Sequence, residues 1–576
     1  MEKKEFEINP NQSKYDYLLE CNKPYMDLTA LTFANRKITY EEMHERINQY
    51  ARALYKKGIR EGDVIGVCVL NTPESVFLIY ALDIIGAKVV GLNPFDSNRA
   101  KMDLELTKPK MVITVDIFYN YFKNFEKALN FSSVLYSPLE SVDDLKVKIP
   151  YNLMQLAKGN FKLSKDGKLM SIVKDPGEEL VKGNYQPGEL TDIIFTGGST
   201  GVHKGVELSD NGINNIVEGT RGLFGARPGM VELGHIPFGH MSYGRMILHY
   251  SLCNNMDYSL TLKAMPKDFY DELIRTQAQG AVGGPPHWYS LVEKTDDGLV
   301  VSSKVKKDSL KQLEYVTSGG EAFKSTMIKP VNSALEYAGS EARVGDGLGT
   351  TETWGVITVN NGRTDTPGTL GHKIHCADIK LKDPDTLEDV PDGEEGLLFI
   401  SSPTVMIGYH NNPEETNKVL SYDENGKKWL NTGDILKKLD NGEYIYVGRK
   451  KRNFVSDVDN IYPEELEDAL SSIPEIREAV VTPISDEMLQ YVPRFHISLY
   501  SDDIDFKLLE QKINNLILSR FNSQWLPGSI TYTTEPLERM SNSKVNISYY
   551  LEKDRRDLEE NRLSHEDAVA LRLKKK

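Results

Sequence analysis

The chain has 576 residues, a length that at about 150 residues per domain predicts roughly three to four domains, or fewer large ones. Hydrophobic residues make up 40% and charged residues 27%, with 44 glycines and 26 prolines, a composition typical of a folded globular protein. The formal net charge of −15 excludes general attraction to phosphate backbones. We therefore expect no nucleic-acid partner and at most peripheral contact with a membrane.

Cysteine spacing and the N-terminal residues indicate the compartment. The start, MEKKEFEINPNQ, lacks the apolar run of a secretion signal, and the most apolar stretch, 76–92, is interrupted by Asp83 and Lys88. The cysteines form no CxxC pair, which excludes a zinc ribbon and favours reduced thiols. The four cysteines are Cys21, Cys68, Cys253 and Cys376. We expect a cytoplasmic protein.

Helical and strand-like patterns alternate along the chain. Apolar residues at helical spacing between Met43 and Leu54 predict a first helix, VIGVCVL at 64–70 predicts a buried strand, and Pro73 begins a second helix. Similar strand patterns recur at MVITVD (111–116), DIIFTGG (192–198), LEYVTSGG (313–320) and EARVGDG (341–347). This alternation predicts an α/β protein with parallel strands.

Four later segments have a different character. Residues 139–188 are irregular and rich in lysine, which favours a solvated surface excursion over a basic face that meets a membrane or partner. Short strands separated by turn signals predict a β-rich region at about 368–447. A compact α+β segment follows Arg449, and 552–576 is a highly charged tail with helical character.

The segment FTGGSTGVHKG, at 195–205, follows a predicted strand and suits phosphate binding. Glycines let the backbone approach an anion, hydroxyls donate hydrogen bonds to it, and an ammonium supplies positive charge. The groups concerned are Gly197, Gly198, Gly201, Ser199, Thr200 and Lys204. The spacing is not that of a Walker A loop, because Gly205 follows the lysine. Taken alone, the segment is equally compatible with a flexible turn.

With further blocks in a fixed order, the chain resembles the acyl-adenylate-forming (AMP-binding) superfamily, which contains acyl-CoA synthetases, luciferases and the adenylation domains of nonribosomal peptide synthetases. The resemblance spans 38–550 and is closest in pattern to fatty acyl-CoA synthetases. The blocks are AKVVGLNP (87–94), IPFGHMSYG (236–244), TSGGEA (317–322), GDGLGTTE (345–352), GYHNNPEET (408–416), NTGD (431–434), GRKK (448–451), NIYPEELE (460–467) and LERMSNSK (537–544).

The resemblance implies a division into domains. It predicts a large N-terminal domain over 1–447, built of parallel-sheet α/β subdomains and the β-rich subdomain at about 368–447. A hinge at 448–451 would join it to a small mobile α+β domain, 452–576, that includes the charged tail.

The resemblance also implies a nucleotide site. Thr351 would contact the ATP phosphate and Glu352 would bind Mg²⁺, a role that suits a carboxylate. Asp434, predicted to sit on a turn, and Arg449 would hold the ribose side. The residues expected to bind nucleotide are Thr196, Gly197, Gly198, Ser199, Thr200, Gly201, Lys204, Gly320, Glu321, Ala322, Gly347, Leu348, Asp434 and Arg449. Leu348 occupies a position that is usually aromatic, which weakens adenine stacking.

Four residues are expected to act in catalysis, namely Lys544, Thr351, Glu352 and His240. Lys544 matches the lysine that enters the active site for adenylation, where a cation can stabilise charge on the phosphate oxygens. Ser543 replaces the usual glycine before it. His240 lies near the mouth of the expected acyl pocket and is assigned to gating or positioning. It is not assigned as a base, because the acid is already ionised near neutral pH.

The implied reaction joins a carboxylic acid to ATP, forming acyl-AMP and pyrophosphate, and then passes the acyl group to a thiol. Val458 replaces a glycine expected near pantetheine, so the acceptor stays open between CoA and a separate acyl carrier protein. Gly239 disfavours an amino acid substrate, and the lysine-rich insertion weakly favours a fatty acid. Pocket candidates by position are His240, Met241, Ser242, Tyr243, Gly319 and Gly347.

The alternative is a catalytically altered nucleotide-binding interaction protein of the same fold. It is motivated by the departures at Leu348, Val458 and Ser543.

Overall fold

The structure is a computed structural model that describes residues 9–94, 97–142, 148–151, 153, 178–196, 204–295, 298–362, 365–450, 452–456, 459–486, 490–521, 523–540 and 544–559. Elements are numbered in chain order over these residues. The helices are α1 (Lys14–Asn22), α2 (Tyr40–Lys56), α3 (Pro73–Ile85), α4 (Ser97–Thr107), α5 (Tyr119–Leu129), α6 (Asp210–Gly219), α7 (Ser242–Cys253), α8 (Pro266–Thr276), α9 (Pro285–Tyr289), α10 (Ser325–Tyr337), α11 (Pro413–Val419), α12 (Pro463–Leu470), α13 (Phe506–Arg520) and α14 (Ile547–Glu559).

A seven-stranded sheet with the order β20-β8-β7-β4-β3-β5-β6 forms the first layer. Its strands are β3 (Val64–Cys68), β4 (Lys88–Gly91), β5 (Met111–Val115), β6 (Ser132–Tyr136), β7 (Asp192–Thr196), β8 (Lys204–Leu208) and β20 (Gly408–Tyr409). The strands from β7 to β6 pair in parallel, while β8 and β20 are antiparallel additions. The parallel strands expected from the alternating pattern are therefore present.

A nine-stranded sheet with the order β17-β16-β15-β14-β11-β9-β10-β1-β2 forms the second layer. Its strands are β1 (Thr29–Phe33), β2 (Arg36–Thr39), β9 (Val231–Gly234), β10 (Asp257–Leu260), β11 (Gly280–Gly283), β14 (Tyr315–Gly319), β15 (Gly345–Thr350), β16 (Gly355–Val359) and β17 (His372–Lys373). The strand predicted within 341–347 begins only at Gly345 and continues to Thr350. The six strands from β15 to β1 are parallel.

Two smaller sheets follow, and a short hairpin precedes them. The hairpin is β12 (Val292–Thr295) and β13 (Gly298–Val301). The β-rich sheet is β18 (Asp378–Lys382), β19 (Glu395–Ser401), β21 (Leu420–Tyr422), β22 (Lys428–Lys438) and β23 (Tyr444–Arg449). The last sheet is β24 (Phe454–Ser456), β25 (Asp459–Ile461), β26 (Ile476–Asp486), β27 (Gln490–Leu499) and β28 (Ser529–Thr533). We call the described residues from Phe454 to Glu559, which comprise this sheet, α12–α14 and their connecting segments, the C-terminal lobe. The described residues before Phe454 form the N-terminal lobe.

Buried ion pairs join the first helix to the two layers. The ammonium of Lys14 lies 2.7 Å from Asp192 and 2.9 Å from Asp210, and Arg245 lies 2.8 Å from the other oxygen of Asp192. Burial acts to lower the pKa of Lys14, but the two carboxylates outweigh it and the pKa is raised. Breaking a buried pair of this kind costs about 3–5 kcal/mol, so α1 is part of the folded core.

The fold class predicted from the sequence is confirmed: parallel-sheet α/β layers, a β-rich sheet and a smaller α+β lobe. Two short strands within the predicted β-rich region differ, because β17 pairs with β16 of the nine-stranded sheet and β20 pairs with β8 of the seven-stranded sheet. Residues 143–147, 152, 154–177 and 560–576, which carry most of the lysine-rich insertion and the charged tail, lie outside the described residues. Across the described chain, no helix has both the length and the apolar composition needed to cross a bilayer.

Candidate active site

The predicted phosphate segment connects the antiparallel strands β7 and β8, with Thr196 and Lys204 as cross-strand partners. The intervening residues 197–203 lie outside the described residues, and they include the predicted Gly197, Gly198, Ser199, Thr200 and Gly201. The ammonium of Lys204 lies 2.6 Å from the Glu415 carboxylate and 4.5 Å from the centre of the Tyr409 ring. Hydrogen bonds from Lys204 and Lys418 lower the pKa of Glu415 to about 2. Lys204 is therefore paired with a protein carboxylate.

Tyr409 connects this lysine to the predicted metal-binding residue. Its hydroxyl donates a hydrogen bond of 2.9 Å to Oε1 of Glu352. Glu352 and Thr351 lie in the 3₁₀ turn Thr351–Thr353, immediately after β15, and the Ser242 hydroxyl donates to Thr351 at 3.4 Å. The turn stands at the carboxyl end of a parallel strand, where ligands bind in open α/β sheets.

Asp434 and Arg449 face each other across the β22–β23 ladder. The Arg449 guanidinium donates from Nε to Oδ1 of Asp434 at 2.8 Å, and the carboxylate charge raises the pKa of Arg449. The side chain of Asp434 is 2% exposed, and its Oδ2 has no hydrogen-bond partner among the described residues. A buried acceptor without a partner is costly, so Oδ2 suits a hydroxyl of a bound ligand.

The prediction that Asp434 sits on a turn is wrong. The NTGD residues lie inside β22, an 11-residue strand. Turn-like residues occur there because Gly433 has φ of +78°, and the Asn431 and Thr432 side chains accept hydrogen bonds from the next backbone amides but one. A strand irregularity and a turn use the same residue types, which is why the local sequence did not separate them.

Lys544 of the C-terminal lobe reaches the N-terminal lobe. Its Nζ donates to the carbonyl oxygen of Gly320 at 2.5 Å, and Gly320 has φ of +88°, a conformation that favours glycine. The residue retains contact with solvent, yet surrounding atoms bury the ammonium enough to lower its pKa. The charges of Glu321, Arg449 and Asp434 also act on this ammonium. The structure thus brings Lys544 together with two of the predicted nucleotide-binding segments.

The segment from Gly320 to Ala322 borders Gly347 and Leu348. Gly347 pairs with Gly319 across β14 and β15, and the Leu348 amide donates to the Thr358 hydroxyl at 3.3 Å. Gly320 and Ala322 are exposed, whereas burial raises the pKa of Glu321 against the opposing effect of Lys544. An exposed backbone edge of this kind can receive a flat ligand.

His240 lies in the turn before α7. Arg245 donates hydrogen bonds to the carbonyls of Phe238 and Gly239, at 2.8 and 3.3 Å, and so holds this turn. Burial, with the charge of Arg245, lowers the pKa of His240 to about 4. Its buried Nδ1 has no hydrogen-bond partner among the described residues. The imidazole is therefore neutral at physiological pH, with a ring nitrogen available to a ligand.

Sequence reasoning missed several neighbours of these groups. Tyr409 and Glu415 lie in the block GYHNNPEET, which supported the resemblance but was not assigned any site residue. Their roles become visible only in the structure, where Tyr409 contacts Glu352 and Glu415 contacts Lys204. Asp346 was also missed: it accepts hydrogen bonds from the Phe323 and Gly347 amides, and burial raises its pKa to about 7.

Two sheets whose strands end at one polar cleft, with Lys544 of a smaller lobe reaching into it, are the architecture of a two-lobed α/β enzyme. The sequence model of the family described as AMP-binding enzyme matches residues 19–410, which is more than half of the chain. The protein belongs to the AMP-binding enzyme family, as the resemblance predicted.

Similar proteins extend over most of the chain. A long-chain-fatty-acid–CoA ligase of Bacillus subtilis (strain 168) is 25% identical over 488 residues, 83% of this chain and 84% of that protein. A 4-coumarate–CoA ligase 1 of Arabidopsis thaliana is 25% identical over 468 residues, covering 79% and 77%. The crystal structure of ATP-bound MatB from Rhodopseudomonas palustris has a TM-score of 0.79 at 19% identity, covering 95% and 99%. The predicted enzyme class, an acid–thiol ligase, is confirmed at that level.

Proposed function

We propose that the protein uses ATP to convert a carboxylic acid to an acyl adenylate, releasing pyrophosphate, and then transfers the acyl group to a thiol. The observation that carries the proposal is the position of Lys544. Its ammonium lies 2.5 Å from the Gly320 carbonyl and within electrostatic reach of Asp434 and Arg449. A cation there would lie where an acid and the α-phosphate meet, if the nucleotide occupies the cleft.

In the first step a carboxylate oxygen forms a bond to the α-phosphorus, and the bond from that phosphorus to the bridging oxygen of pyrophosphate breaks. No proton has to be removed, because the acid is ionised at neutral pH. Lys544 would stabilise negative charge on the phosphate oxygens, and charge stabilisation with positioning supplies most of the catalysis in phosphoryl transfer. The neutral His240 would position the carboxylate.

The nucleotide would be held from several sides. Oδ2 of Asp434, buried and without a partner among the described residues, suits a ribose hydroxyl. The exposed backbone from Gly320 to Ala322 suits the adenine face, and Thr351 and Lys204 suit the phosphates. For Lys204 this requires sharing or releasing Glu415. The residues of the segment 197–201 would complete the phosphate cradle.

Glu352 fits a magnesium ion, because a carboxylate in this cleft is a ligand that Mg²⁺ prefers and Tyr409 fixes its orientation. When bound, the ion would neutralise phosphate charge. The remaining groups act without it: Tyr409 orients Glu352, and Ser242 orients the Thr351 hydroxyl.

The names of the relatives do not identify one acid or one thiol as the substrate of this protein. Their names include a fatty acid ligase and a 4-coumarate ligase at the same 25% identity, so both acid types are compatible with the proposal. The thiol would belong to CoA or to a separate carrier protein. For the second step we propose that 452–576 rotates about 448–451, which would withdraw Lys544 and admit the thiol.

The test is acid-dependent release of pyrophosphate from ATP across a panel of carboxylic acids, followed by trapping of the acyl group on CoA or on a phosphopantetheine carrier. We expect release only when both ATP and a suitable acid are present. If ATP raises the unfolding temperature but no acid supports release, the catalytically altered nucleotide-binding protein is the correct description.

A further inference from the structure

An apolar cavity lies among residues of α6, α7 and the strands β11, β14 and β16. Its wall connects directly to the active site. Tyr243 lines the cavity, and its hydroxyl closely approaches Gly319, where an added Cβ would lie only 2.9 Å away. The chain neighbours of these two residues belong to the active site. Ser242, next to Tyr243, donates a hydrogen bond to Thr351, and Gly320, next to Gly319, accepts one from Lys544.

The walls of the cavity carry no charged side chain among the described residues. Its hydroxyls include two with protein acceptors: Thr220 donates to the Ile216 carbonyl at 2.7 Å, and Tyr315 donates to Glu232. Glu232, behind the wall, is buried, and burial raises its pKa to about 8, so it is mainly neutral at pH 7. A charged tail group would therefore lose its hydration without gaining an ionic partner, which is strongly unfavourable.

Aromatic rings line the part of the cavity farthest along β14 and α7 from Gly319 and Tyr243. The Phe224 ring centre lies 5.8 Å from that of Tyr250 and 5.8 Å from that of Tyr315. Tyr315 is fixed by its bond to Glu232 and by Gly280, where an added Cβ would lie 2.3 Å from the tyrosine ring. The Tyr315 ring is therefore restrained by Glu232 and Gly280 as well as by the Phe224 ring.

The two elements that run along the cavity set the scale for the length of tail that it can hold. From Gly319 to Tyr315, β14 covers about 13 Å at roughly 3.3 Å per residue. From Tyr243 to Tyr250, α7 covers about 10 Å at 1.5 Å per residue. An extended chain advances about 1.2 Å per bond, so a sixteen-carbon acid needs about 18 Å.

We infer that the acid is a monocarboxylic acid with a compact, uncharged, apolar tail, such as a single aromatic ring on a short linker, and not a long-chain fatty acid. This inference rests on the proposed function and specifies its substrate class. Phe224, Tyr250 and Tyr315 set the length limit. Ring-on-ring contact with these side chains favours an aromatic tail further.

The test compares kcat/KM for pyrophosphate release with 3-phenylpropanoate, octanoate, octanedioate and hexadecanoate. We expect 3-phenylpropanoate and octanoate to exceed hexadecanoate by at least about tenfold, and octanoate to exceed octanedioate by at least about a hundredfold. Phe224→Ala should improve hexadecanoate relative to octanoate by about tenfold or more. Phe125→Ala is the matched control, because Phe125 is equally a partly buried phenylalanine at the core edge but does not line the cavity.

Wild-type preference for hexadecanoate or octanedioate would overturn the inference, as would a Phe224→Ala variant that is folded by its thermal transition and keeps the wild-type ranking. Calorimetric binding of the same four acids in the presence of AMP ranks them without turnover. If no acid supports pyrophosphate release, the proposed function fails, while this ranking still decides whether the cavity selects compact uncharged tails.

Discussion

Asp468 of the C-terminal lobe caps helix α10 of the N-terminal lobe through Ser325. Its Oδ1 accepts the Ser325 amide at 3.0 Å and its Oδ2 accepts the Ser325 hydroxyl at 2.8 Å. Lys324, the residue before the helix, provides no side-chain cap of its own. A carboxylate at a helix N-terminus satisfies free amides and the helix dipole, so this contact stabilises the lobe orientation in which Lys544 reaches Gly320.

Asp468→Ala should slow adenylate formation more than acyl transfer. Loss of a helix cap costs about 1 kcal/mol, which corresponds to roughly fivefold in the population of the closed orientation. Single-turnover pyrophosphate release and transfer from supplied acyl-AMP measure the two steps separately. Asp502→Ala, an exposed aspartate in the same lobe, should leave both steps unchanged. An unchanged ratio of the two rates in Asp468→Ala would show that the cap does not hold the lobes.

Glu415→Gln should strengthen binding of pyrophosphate. The carboxylate now pairs with Lys204 at 2.6 Å and competes with any phosphate for that ammonium. Removing its charge should lower the Kd for pyrophosphate by about threefold to tenfold in calorimetry, the size expected for one partly exposed charge pair. Glu414→Gln is the neighbouring control, because Glu414 pairs with Lys418 and is 82% exposed. Weaker binding in Glu415→Gln would mean that the carboxylate positions Lys204 instead of competing for it.

Asp434→Ala should weaken ATP binding by at least about tenfold, because it removes the buried Oδ2 acceptor and leaves Arg449 without its cross-strand partner. Titration calorimetry with ATP measures the effect. The control is Asp392→Ala, which removes a surface ion pair with Lys438 in the same sheet and should not alter ATP affinity. Equal ATP affinity in both variants would remove Asp434 from the nucleotide site.

Glu232→Gln should stabilise the protein increasingly as the pH rises. Burial raises the folded-state pKa of Glu232 to about 8 from an ordinary value near 4.5. Between these values the folded state keeps a proton that the unfolded state has lost, so this carboxyl lowers wild-type stability as pH rises. The glutamine has no proton to lose and can still accept a hydrogen bond from Tyr315.

Thermal unfolding should therefore give equal transitions for Glu232→Gln and wild type near pH 4.5. By pH 8 the variant should be higher by several degrees, equivalent to roughly 4 kcal/mol. Glu341→Gln, an exposed substitution, should show no such pH-dependent gain. A gain that is constant with pH would mean that Glu232 is not held neutral by burial.

The parallel layers were predictable because their signal is local. The first helix was expected around Met43 to Leu54 and is α2, and the buried strand at 64–70 is β3, since helical spacing and continuous apolar runs reflect burial directly. The order of the sheets and the pairing of β20 with β8 depend on contacts between residues about two hundred positions apart. No local pattern encodes such pairing.

Several of the residues proposed for the site lie in recognisable blocks of the sequence. Thr351, Glu352, Asp434, Arg449 and Lys544 converge on one cleft, although their chemical roles remain proposals. The partners that orient these residues were not predictable. Nothing in the local sequence around Tyr409, Glu415 and Asp468 distinguishes them, and only folding shows which groups they contact.

The central claim is tested most directly by the two half-reactions of Lys544→Ala. Adenylate formation should fall by at least about a hundredfold, the size expected when one charge-stabilising group is lost, while transfer from supplied acyl-AMP stays within about twofold of wild type. Lys507→Ala, an exposed lysine of the same lobe, should leave both rates unchanged. Equal loss of both half-reactions, or undiminished adenylate formation, in Lys544→Ala would contradict the account.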